Sequence, residues 1–370
     1  MVQPSDRIPV SIITGFLGAG KSTLLNRLLR DPDMKDAAVI INEFGEVGID
    51  HLLVEASGDS MVELSNGCLC CTVRGELTDT LIYFREALAD GRIKALKRVV
   101  IETTGLADPA PVIQSIIGAT DISRDFTVDG VVTLVDAVNG LATLDNHEEA
   151  RRQVAVGDRL ILTKQTLADA RTIKALTARL RKLNPGAPLI NGDAPEAAGY
   201  AMLSAGLYDP ATKIADVSRW LHDEDHHDHH HDHDGHDHDQ HHHHHDQAIQ
   251  SFSIVHERPV DPAALGMFID LLRSAHGEKL LRMKAVVQLS DDPDRPLVLH
   301  GVQSIFHQPE RLRGWPDPTD RRTRMVLITK DLTAEFVQSL FDAFTGTPRI
   351  DQADRQALED NPLAIPGMRM

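Results

Sequence analysis

The sequence predicts an α/β protein with a mostly parallel sheet flanked by helices, followed by a small α+β C-terminal domain. Strand-like and helix-like patterns alternate over about the first 190 residues, which is typical of a parallel sheet with helices on both faces. A glycine-rich segment joins the first predicted strand to the first predicted helix. A second set of strand and helix patterns follows a tract rich in histidine and aspartate.

The composition limits the classes of function. The chain has 370 residues, enough for two domains, and 42% of them are hydrophobic, as in an ordinary globular protein. A formal net charge of −17 disfavours nucleic acid or an anionic membrane as a partner. No apolar run reaches bilayer length and no signal peptide precedes the first predicted strand, so we expect a cytoplasmic protein.

The glycine-rich segment, residues 15–22, reads GFLGAGKS and has the form G-x-x-x-x-G-K-[ST]. A strand pattern over 9–14 precedes it and a helix pattern over 23–29 follows, which is the context that a phosphate-binding loop requires. Lys21 is predicted to reach the β- and γ-phosphates, and the Ser22 hydroxyl to bind Mg²⁺. An ordinary glycine-rich turn would need no Lys-Ser pair, so we interpret the chain as a P-loop NTPase. The predicted nucleotide contacts here are Gly15, Gly18, Ala19, Gly20, Lys21, Ser22 and Thr23.

The second predicted strand, Ala37 to Ile41, runs into the loop NEFGEVGID at residues 42–50. Two glycines and three acidic residues suit a polar loop at the carboxyl edge of a sheet, where ligands bind in open α/β folds. The loop could contact Mg²⁺ or the γ-phosphate, or supply Glu43 to a metal ion. A solvated acidic loop without a ligand remains the alternative.

All three cysteines of the chain, Cys68, Cys70 and Cys71, lie within four residues, after a short strand pattern at 60–64. A disulfide framework would spread cysteines apart, whereas clustered thiolates suit Zn²⁺ or Cu(I). The turn formers Asn66-Gly67 would let the third thiol join the other two. Three thiolates leave one tetrahedral position open, which suits a transferable or catalytic ion. Buried structural cysteine is the alternative.

The segment RVVIETTG, at residues 98–105, has the pattern of a Walker B element: a hydrophobic strand that ends in an acid and then a glycine. Glu102 is predicted to hold Mg²⁺ or its water, and the Gly105 backbone to contact the γ-phosphate. Lys21, Ser22 and Glu102 are therefore the predicted catalytic residues. Helix patterns at 77–89 and 167–183 and strand patterns at 128–135, 159–162 and 188–190 complete the alternation.

Residues 222–246 contain fourteen histidines and eight aspartates. A segment with almost no apolar residues cannot bury a core, so it is predicted to be disordered. Imidazole suits Zn, Cu, Ni and Co, and we interpret the tract as a metal collector of low specificity. A purification tag would be terminal, and a pH-responsive linker without metal is the other alternative. The candidate ligands are His229, His230, His231, His241, His242 and His243.

The last part of the chain is predicted to form the small α+β domain. Strand patterns cover 249–256, 280–289, 296–304 and 324–329, and helix patterns cover 262–274 and 333–344. His276, His300 and His307 are interpreted as surface or packing residues. The predicted boundaries are 1–221 for the nucleotide-binding domain, 222–247 for the linker, 248–346 for the C-terminal domain and 347–370 for a tail.

Six stretches, in this order, resemble the CobW-type P-loop GTPases, which are metallochaperones and metal-enzyme activators. They read GFLGAGKST, NEFGEVGID, NGCLCC, ETTGLADP, HGEKLLRMKAVV and GVQSIFHQPERLRGWP. The resemblance implies a GTPase that uses GTP, Mg²⁺ and Zn²⁺, with its metal site at Cys68, Cys70 and Cys71. It implies a switch-like loop at 42–50 and a client metalloenzyme as partner. A homo-oligomer is left open.

The guanine-reading element of this family, Thr-Lys-x-Asp, falls on Thr163 and Lys164, but Thr166 stands where Asp is expected. That Asp would accept hydrogen bonds from the guanine N1–H and amine. A hydroxyl cannot accept both, and a hydrogen bond to a charged acceptor contributes about 1.5–3 kcal/mol. We therefore expect reduced guanine selectivity, since Asp169 could substitute only if the loop rearranged.

These observations predict a GTP-hydrolysing metallochaperone that transfers Zn²⁺ or a similar ion to a client metalloenzyme. Nucleotide state would gate metal binding or release, because switch loops ordered by γ-phosphate and Mg²⁺ are an established device. Two alternatives stay open. One is a passive histidine-rich zinc buffer with a weak or vestigial nucleotide site, and the other is a chaperone for cobalt-enzyme or cobalamin assembly.

Overall fold

The computed structural model describes residues 7–41, 62–63, 73–194, 202–203 and 249–346. These residues form a parallel sheet with helices on both of its faces, followed by an antiparallel sheet with its own helices. The predicted fold class is therefore confirmed. None of the described helices is both long enough and apolar enough to cross a membrane.

The first sheet has the strand order β3-β2-β4-β1-β5-β6-β7, and every neighbouring pair is parallel. Because all the carboxyl ends lie at one edge, the loops that follow the strands meet there. The strands are β1 (Ile8–Gly15), β2 (Ala37–Ile41), β3 (Val62–Glu63), β4 (Arg98–Glu102), β5 (Phe126–Asp136), β6 (Arg159–Thr163) and β7 (Leu189–Asn191).

Helices cover both faces of this sheet, so its central strand is apolar on both sides. On β1, Ile12 packs into the apolar core on one face of the sheet, whereas Ile13 packs on the opposite face beneath the helix that follows β1. Both side chains are fully buried. The helices are α1 (Lys21–Leu28), α2 (Val73–Ala89), α3 (Ala110–Gly118), α4 (Thr120–Ser123), α5 (Gly140–Asn146), α6 (Glu148–Val156) and α7 (Ala170–Leu183).

The second sheet is antiparallel, in the order β11-β10-β9-β13-β8, with β12 paired to β10. Two helices pack together over one of its faces through the rings of Phe268 and Phe341. Side-chain caps from Asp261 and Thr333 begin these helices, as expected for such residues. The elements are β8 (Ile249–His256), α8 (Pro262–His276), β9 (Leu280–Val287), β10 (Leu297–Val302), β11 (Ile305–Phe306), β12 (Glu310–Arg311), β13 (Thr323–Lys330) and α9 (Ala334–Thr345).

The two sheets are joined by a buried charged contact. Asp158, which precedes β6, pairs with Arg282 and with Lys284, whose Nζ lies 3.2 Å from the carboxylate. Burial raises the pKa of Asp158, but the two cations and the Val131 N–H more than offset this and hold it at about 2. Apolar packing of Ala155 on α6 against the second sheet adds to this contact. The two sheets therefore meet where the end of α6 and the turn after it contact β9 and β13.

The structure differs from the prediction mainly in two short helices. The sequence patterns did not predict α5 and α6, which have seven and nine residues, and α6 carries mostly charged and polar side chains. The predicted domain boundaries stay predictions, because residues 195–201 and 204–248 lie outside the described part of the chain.

Candidate nucleotide site

The phosphate-binding loop has the geometry that its sequence predicts. It connects β1 to α1, which begins at Lys21. Gly18 and Gly20 adopt left-handed conformations, with φ of 73° and 95°, which glycine adopts without steric cost. The Lys21 ammonium folds back over the loop and donates to the carbonyl of Gly15 at 2.9 Å. The loop thus combines left-handed glycines, a helix N-terminus and a cation bonded to its own backbone, an arrangement suited to an anion.

A hydroxyl and a carboxylate meet beside this loop. Ser22 Oγ donates to Glu102 Oε1 over 3.1 Å, and Glu102 is buried at the end of β4. The two groups come from the first turn of α1 and from the neighbouring strand. Hard oxygen donors of this kind are the ligands that Mg²⁺ prefers. The donor set therefore fits Mg²⁺, as the sequence predicts for Ser22 and Glu102.

The segment after β4 lies directly against the phosphate-binding loop. A Cβ on Gly105 would lie 2.7 Å from the backbone nitrogen of Leu17, so only glycine allows this approach. Gln153 of α6, which is buried, donates its side-chain amide to the carbonyls of Gly105 at 3.1 Å and Ala107 at 3.0 Å. Sequence reasoning missed Gln153, because no motif marks it.

A chain of ion pairs leads from this segment to the second domain. Asp108 pairs with Arg152 at 3.2 Å, Arg152 with Glu148 at 2.7 Å, and Glu148 with Lys330 of β13 at 2.6 Å. The hydrogen bond from Lys330 lowers the pKa of Glu148, with burial opposing it and Arg152 adding to it. The segment that follows the Walker B strand is therefore connected to the C-terminal sheet through α6.

The loop after β6 carries Thr163 and Lys164, which the sequence predicts at the base end of the site. Thr163 Oγ1 donates to the Ala19 carbonyl at 2.8 Å, which ties this loop to the phosphate-binding loop. Lys164 has a left-handed backbone with φ of 56°, and its Nζ donates to Asp136 at 2.8 Å. Thr166 is exposed. Asp169 caps α7, where its carboxylate accepts the Thr172 N–H at 2.9 Å.

These parts surround one cavity of about 680 Å³, large enough for a nucleotide. Its lining brings together residues from the phosphate-binding loop, the Walker B strand, the following segment and the base loop. The structure thus places most of the predicted nucleotide residues around a single space. The lining includes Gly18, Lys21, Ser22, Glu102, Gly105 and Lys164.

The predicted metal residues fall outside the described part of the chain. Within the described residues, no group of three or more His, Cys, Asp or Glu side chains is placed to hold a metal ion. His300 and His307 are buried in the C-terminal sheet region. The predicted ligands that lie outside are Glu43, Cys68, Cys70, Cys71, His229, His230, His231, His241, His242 and His243.

Comparison with known proteins gives two family matches. Residues 9–191 match the model of the CobW/HypB/UreG nucleotide-binding domain, and residues 249–345 match that of the cobalamin synthesis protein cobW C-terminal domain. The two matches coincide with the parallel sheet and the antiparallel sheet. Both halves of the described structure therefore have counterparts in one family.

Individual relatives support the same family assignment. The zinc chaperone YjiA of Escherichia coli is 32% identical over 337 residues, which are 90% of this chain and 98% of that protein. The zinc chaperone CobW of Sinorhizobium is 31% identical over 354 residues, 87% of this chain and 92% of that protein. The crystal structure of the Zn(II)-bound YjiA GTPase from E. coli superposes with a TM-score of 0.65, at 28% identity, and covers 91% of this chain and 99% of that one. The chain belongs to the CobW/HypB/UreG family.

Proposed function

We propose that this protein hydrolyses GTP and uses its nucleotide state to control the binding and delivery of Zn²⁺ to a client metalloprotein. Family membership supports the nucleotide site, and the relatives that cover nearly the whole chain are named zinc chaperones or a Zn(II)-bound GTPase. The observation that carries the proposal is the connection through α6. It joins the segment beside the phosphates, at Gly105 and Asp108, to Lys330 of the second domain.

The proposed roles at the phosphates follow from the geometry. Lys21, now bonded to loop carbonyls, would turn to the β- and γ-phosphates and offset their charge. Ser22 and Glu102 would hold Mg²⁺, which neutralises developing charge on the phosphoryl oxygens when bound. Backbone N–H groups of the loop would hold the oxygens in place, so that catalysis rests on positioning and charge stabilisation.

Loss of the γ-phosphate would be sensed by the segment after β4. Gly105 contacts the phosphate-binding loop on one side and Gln153 on the other. A displacement of this glycine would therefore move the carbonyl to which α6 is bonded, and Arg152 would follow through Asp108. The proposed output is a change in the C-terminal domain and at the cluster of Cys68, Cys70 and Cys71, which we propose as the Zn²⁺ site.

The competing function is a passive zinc buffer, favoured by the fourteen histidines of residues 222–246. A buffer would release Zn²⁺ at a rate that depends on the competing chelator alone. The two functions are separated by following transfer of Zn²⁺ from the loaded protein to a fluorescent chelator, with and without Mg²⁺ and GTP. We expect GTP to change the transfer rate in the wild type and not in Lys21→Ala. Transfer that is identical with and without GTP would establish the buffer instead.

A further inference from the structure

A carboxylate that the sequence did not reveal lies against the loop after β6, whose Lys164 lines the nucleotide cavity. Position 166, where the family pattern places the base-reading carboxylate, is an exposed threonine. Guanine presents two donors side by side, N1–H and the exocyclic amine, and adenine does not present this pair. A carboxylate matches both donors, whereas a hydroxyl accepts from one of them and matches adenine equally well. Guanine selection here needs a carboxylate from another part of the chain.

Asp193 brings such a carboxylate from the neighbouring strand. It lies just after β7, and its Oδ1 accepts the Lys164 N–H while its Oδ2 accepts the Thr166 N–H, both over 3.0 Å. The charge therefore lies against the backbone of residue 166 itself. Asp193 lies 27 residues after Thr166 in the sequence.

The position of Asp193 is fixed by its own loop. Asn191 Oδ1 accepts hydrogen bonds from the Asp193 N–H at 3.0 Å and from the Gln165 side-chain amide at 2.8 Å. The Gly192 N–H donates to the Leu162 carbonyl at 2.7 Å. The loops after β6 and β7 are thus bonded to each other by side chains and backbone alike. Such support holds a recognition group in a defined place before the ligand arrives.

The other two carboxylates near this loop have different tasks. Asp136 accepts from Lys164 Nζ and from the Val138 N–H, each at 2.8 Å. Asp169 accepts both the backbone N–H and the hydroxyl of Thr172. Among the described residues, each oxygen of Asp193 accepts one N–H, and a carboxylate oxygen has two lone pairs. Asp193 therefore keeps the capacity to accept one further hydrogen bond at each oxygen.

We propose that Asp193 is the base-selecting residue, with its carboxylate reading the N1–H and amine of guanine in place of a side chain at position 166. This rests on the proposed nucleotide site. The sequence pattern predicts reduced guanine selectivity, because Thr166 stands where Asp is expected. The proposal predicts that guanine selectivity is kept, because Asp193 supplies the carboxylate. The wild type is expected to bind GDP more tightly than ADP or XDP.

The test is Asp193→Asn in the full chain, with GDP, XDP and ADP titrated in the presence of Mg²⁺. Xanthine carries a carbonyl where guanine carries its amine, so an amide at position 193 would donate to it. We expect GDP affinity to fall by about 10- to 100-fold and the preference to change from GDP to XDP. Asp169→Asn is the matched control, and it should leave both affinities and their ratio unchanged.

A role for Asp193 confined to holding the loop would give a different result. The variant would then bind GDP, XDP and ADP more weakly by the same factor, and this outcome would overturn the proposal. Adding Thr166→Asp to Asp193→Asn should restore GDP preference if position 193 reads the base. Should Asp193→Asn fail to fold, Asp193→Ser answers the same question through the GDP to ADP ratio, which is expected to approach one. A wild type that binds no nucleotide would refute the proposed function itself.

Discussion

The two ends of the nucleotide site are built in different ways. The phosphate end is a contiguous run of backbone between β1 and α1, completed by Glu102 from the adjacent strand. The base end is assembled from two loops, after β6 and after β7, and its contacts are made by side chains. The first construction tolerates little change, because glycine conformation and close approach define it. The second would allow the base-reading carboxylate to come from Asp193, as we propose, and not from position 166.

The largest effect is expected from Lys21→Ala, and its comparison with Lys164→Ala separates the two ends of the nucleotide site. Lys21→Ala removes the cation that we propose contacts the transferred phosphoryl group, so we expect kcat for GTP hydrolysis to fall by about 10²- to 10³-fold. We propose that Lys164 contacts the base in the ground state and in the transition state alike, and Lys164→Ala would remove that contact. It should raise KM and leave kcat nearly unchanged. Steady-state phosphate release measures both, and equal losses of kcat in the two variants would contradict the division into two ends.

Predictability from the sequence follows the same division. The placement of residues 15–22 between a strand and a helix could be predicted because the pattern that indicates it is local. Glu102 and Gly105 followed from a strand pattern and a glycine. The alternation of strands and helices likewise predicted the parallel sheet, since buried strands are continuously apolar.

The residues that escaped prediction act across long separations. Asp193 bonds to backbone atoms of another loop, and Gln153 bonds to carbonyls 46 and 48 residues earlier. Neither residue belongs to a local pattern, since its partner is chosen by the packing of strands and helices. The missing carboxylate at Thr166 was visible in the sequence, but the side chain that lies against it was not.

Thr163→Val tests the connection between the two ends. The substitution keeps the shape of the side chain and removes the hydrogen bond from Oγ1 to the Ala19 carbonyl. A bond of this kind contributes about 0.5–1.5 kcal/mol, so GDP affinity should fall about two- to tenfold. Thr172→Val, which removes a hydroxyl contact at the start of α7, is the matched control. An unchanged affinity in Thr163→Val would show that the two ends act independently.

Lys330→Gln tests whether the second domain affects nucleotide affinity only through the phosphate end of the site. It breaks the pair with Glu148, and partly exposed pairs contribute about 0–1 kcal/mol. We expect the ratio of affinities for a GTP analogue and GDP to change up to about fivefold, with the GDP to ADP ratio unaltered. Arg273→Gln, which breaks the exposed pair with Asp270 inside α8, should alter neither ratio. A change in the ratio of GDP and ADP affinities would mean that the second domain also affects the base end of the site.

The smallest effect on the nucleotide site is expected from substitution of His307, which is buried in the C-terminal region. Burial lowers its pKa to about 4, with Asp158 opposing and Arg7 adding to this. The unfolded chain binds a proton at this residue below its ordinary pKa of about 6.5, whereas the folded chain does so only near 4. Stability should therefore be full above pH 6.5 and should fall as the pH drops towards 4.

Thermal melts between pH 7.5 and pH 5 measure this effect. His307→Gln should flatten the decline in Tm without changing nucleotide affinity at pH 7.5. If Tm of the variant falls with pH as steeply as that of the wild type, titratable groups other than His307 cause the pH dependence.

The central claim is that nucleotide state gates the binding of Zn²⁺. It is tested most directly by chelator competition on the chain lacking residues 222–246, first with Mg²⁺ and a non-hydrolysable GTP analogue and then with Mg²⁺ and GDP. Replacement of Cys68, Cys70 and Cys71 by serine is the control that identifies the site. We predict a tenfold or larger difference in Zn²⁺ affinity between the two states, about 1.4 kcal/mol, because coupling between two sites is reciprocal. Equal affinities would contradict the account.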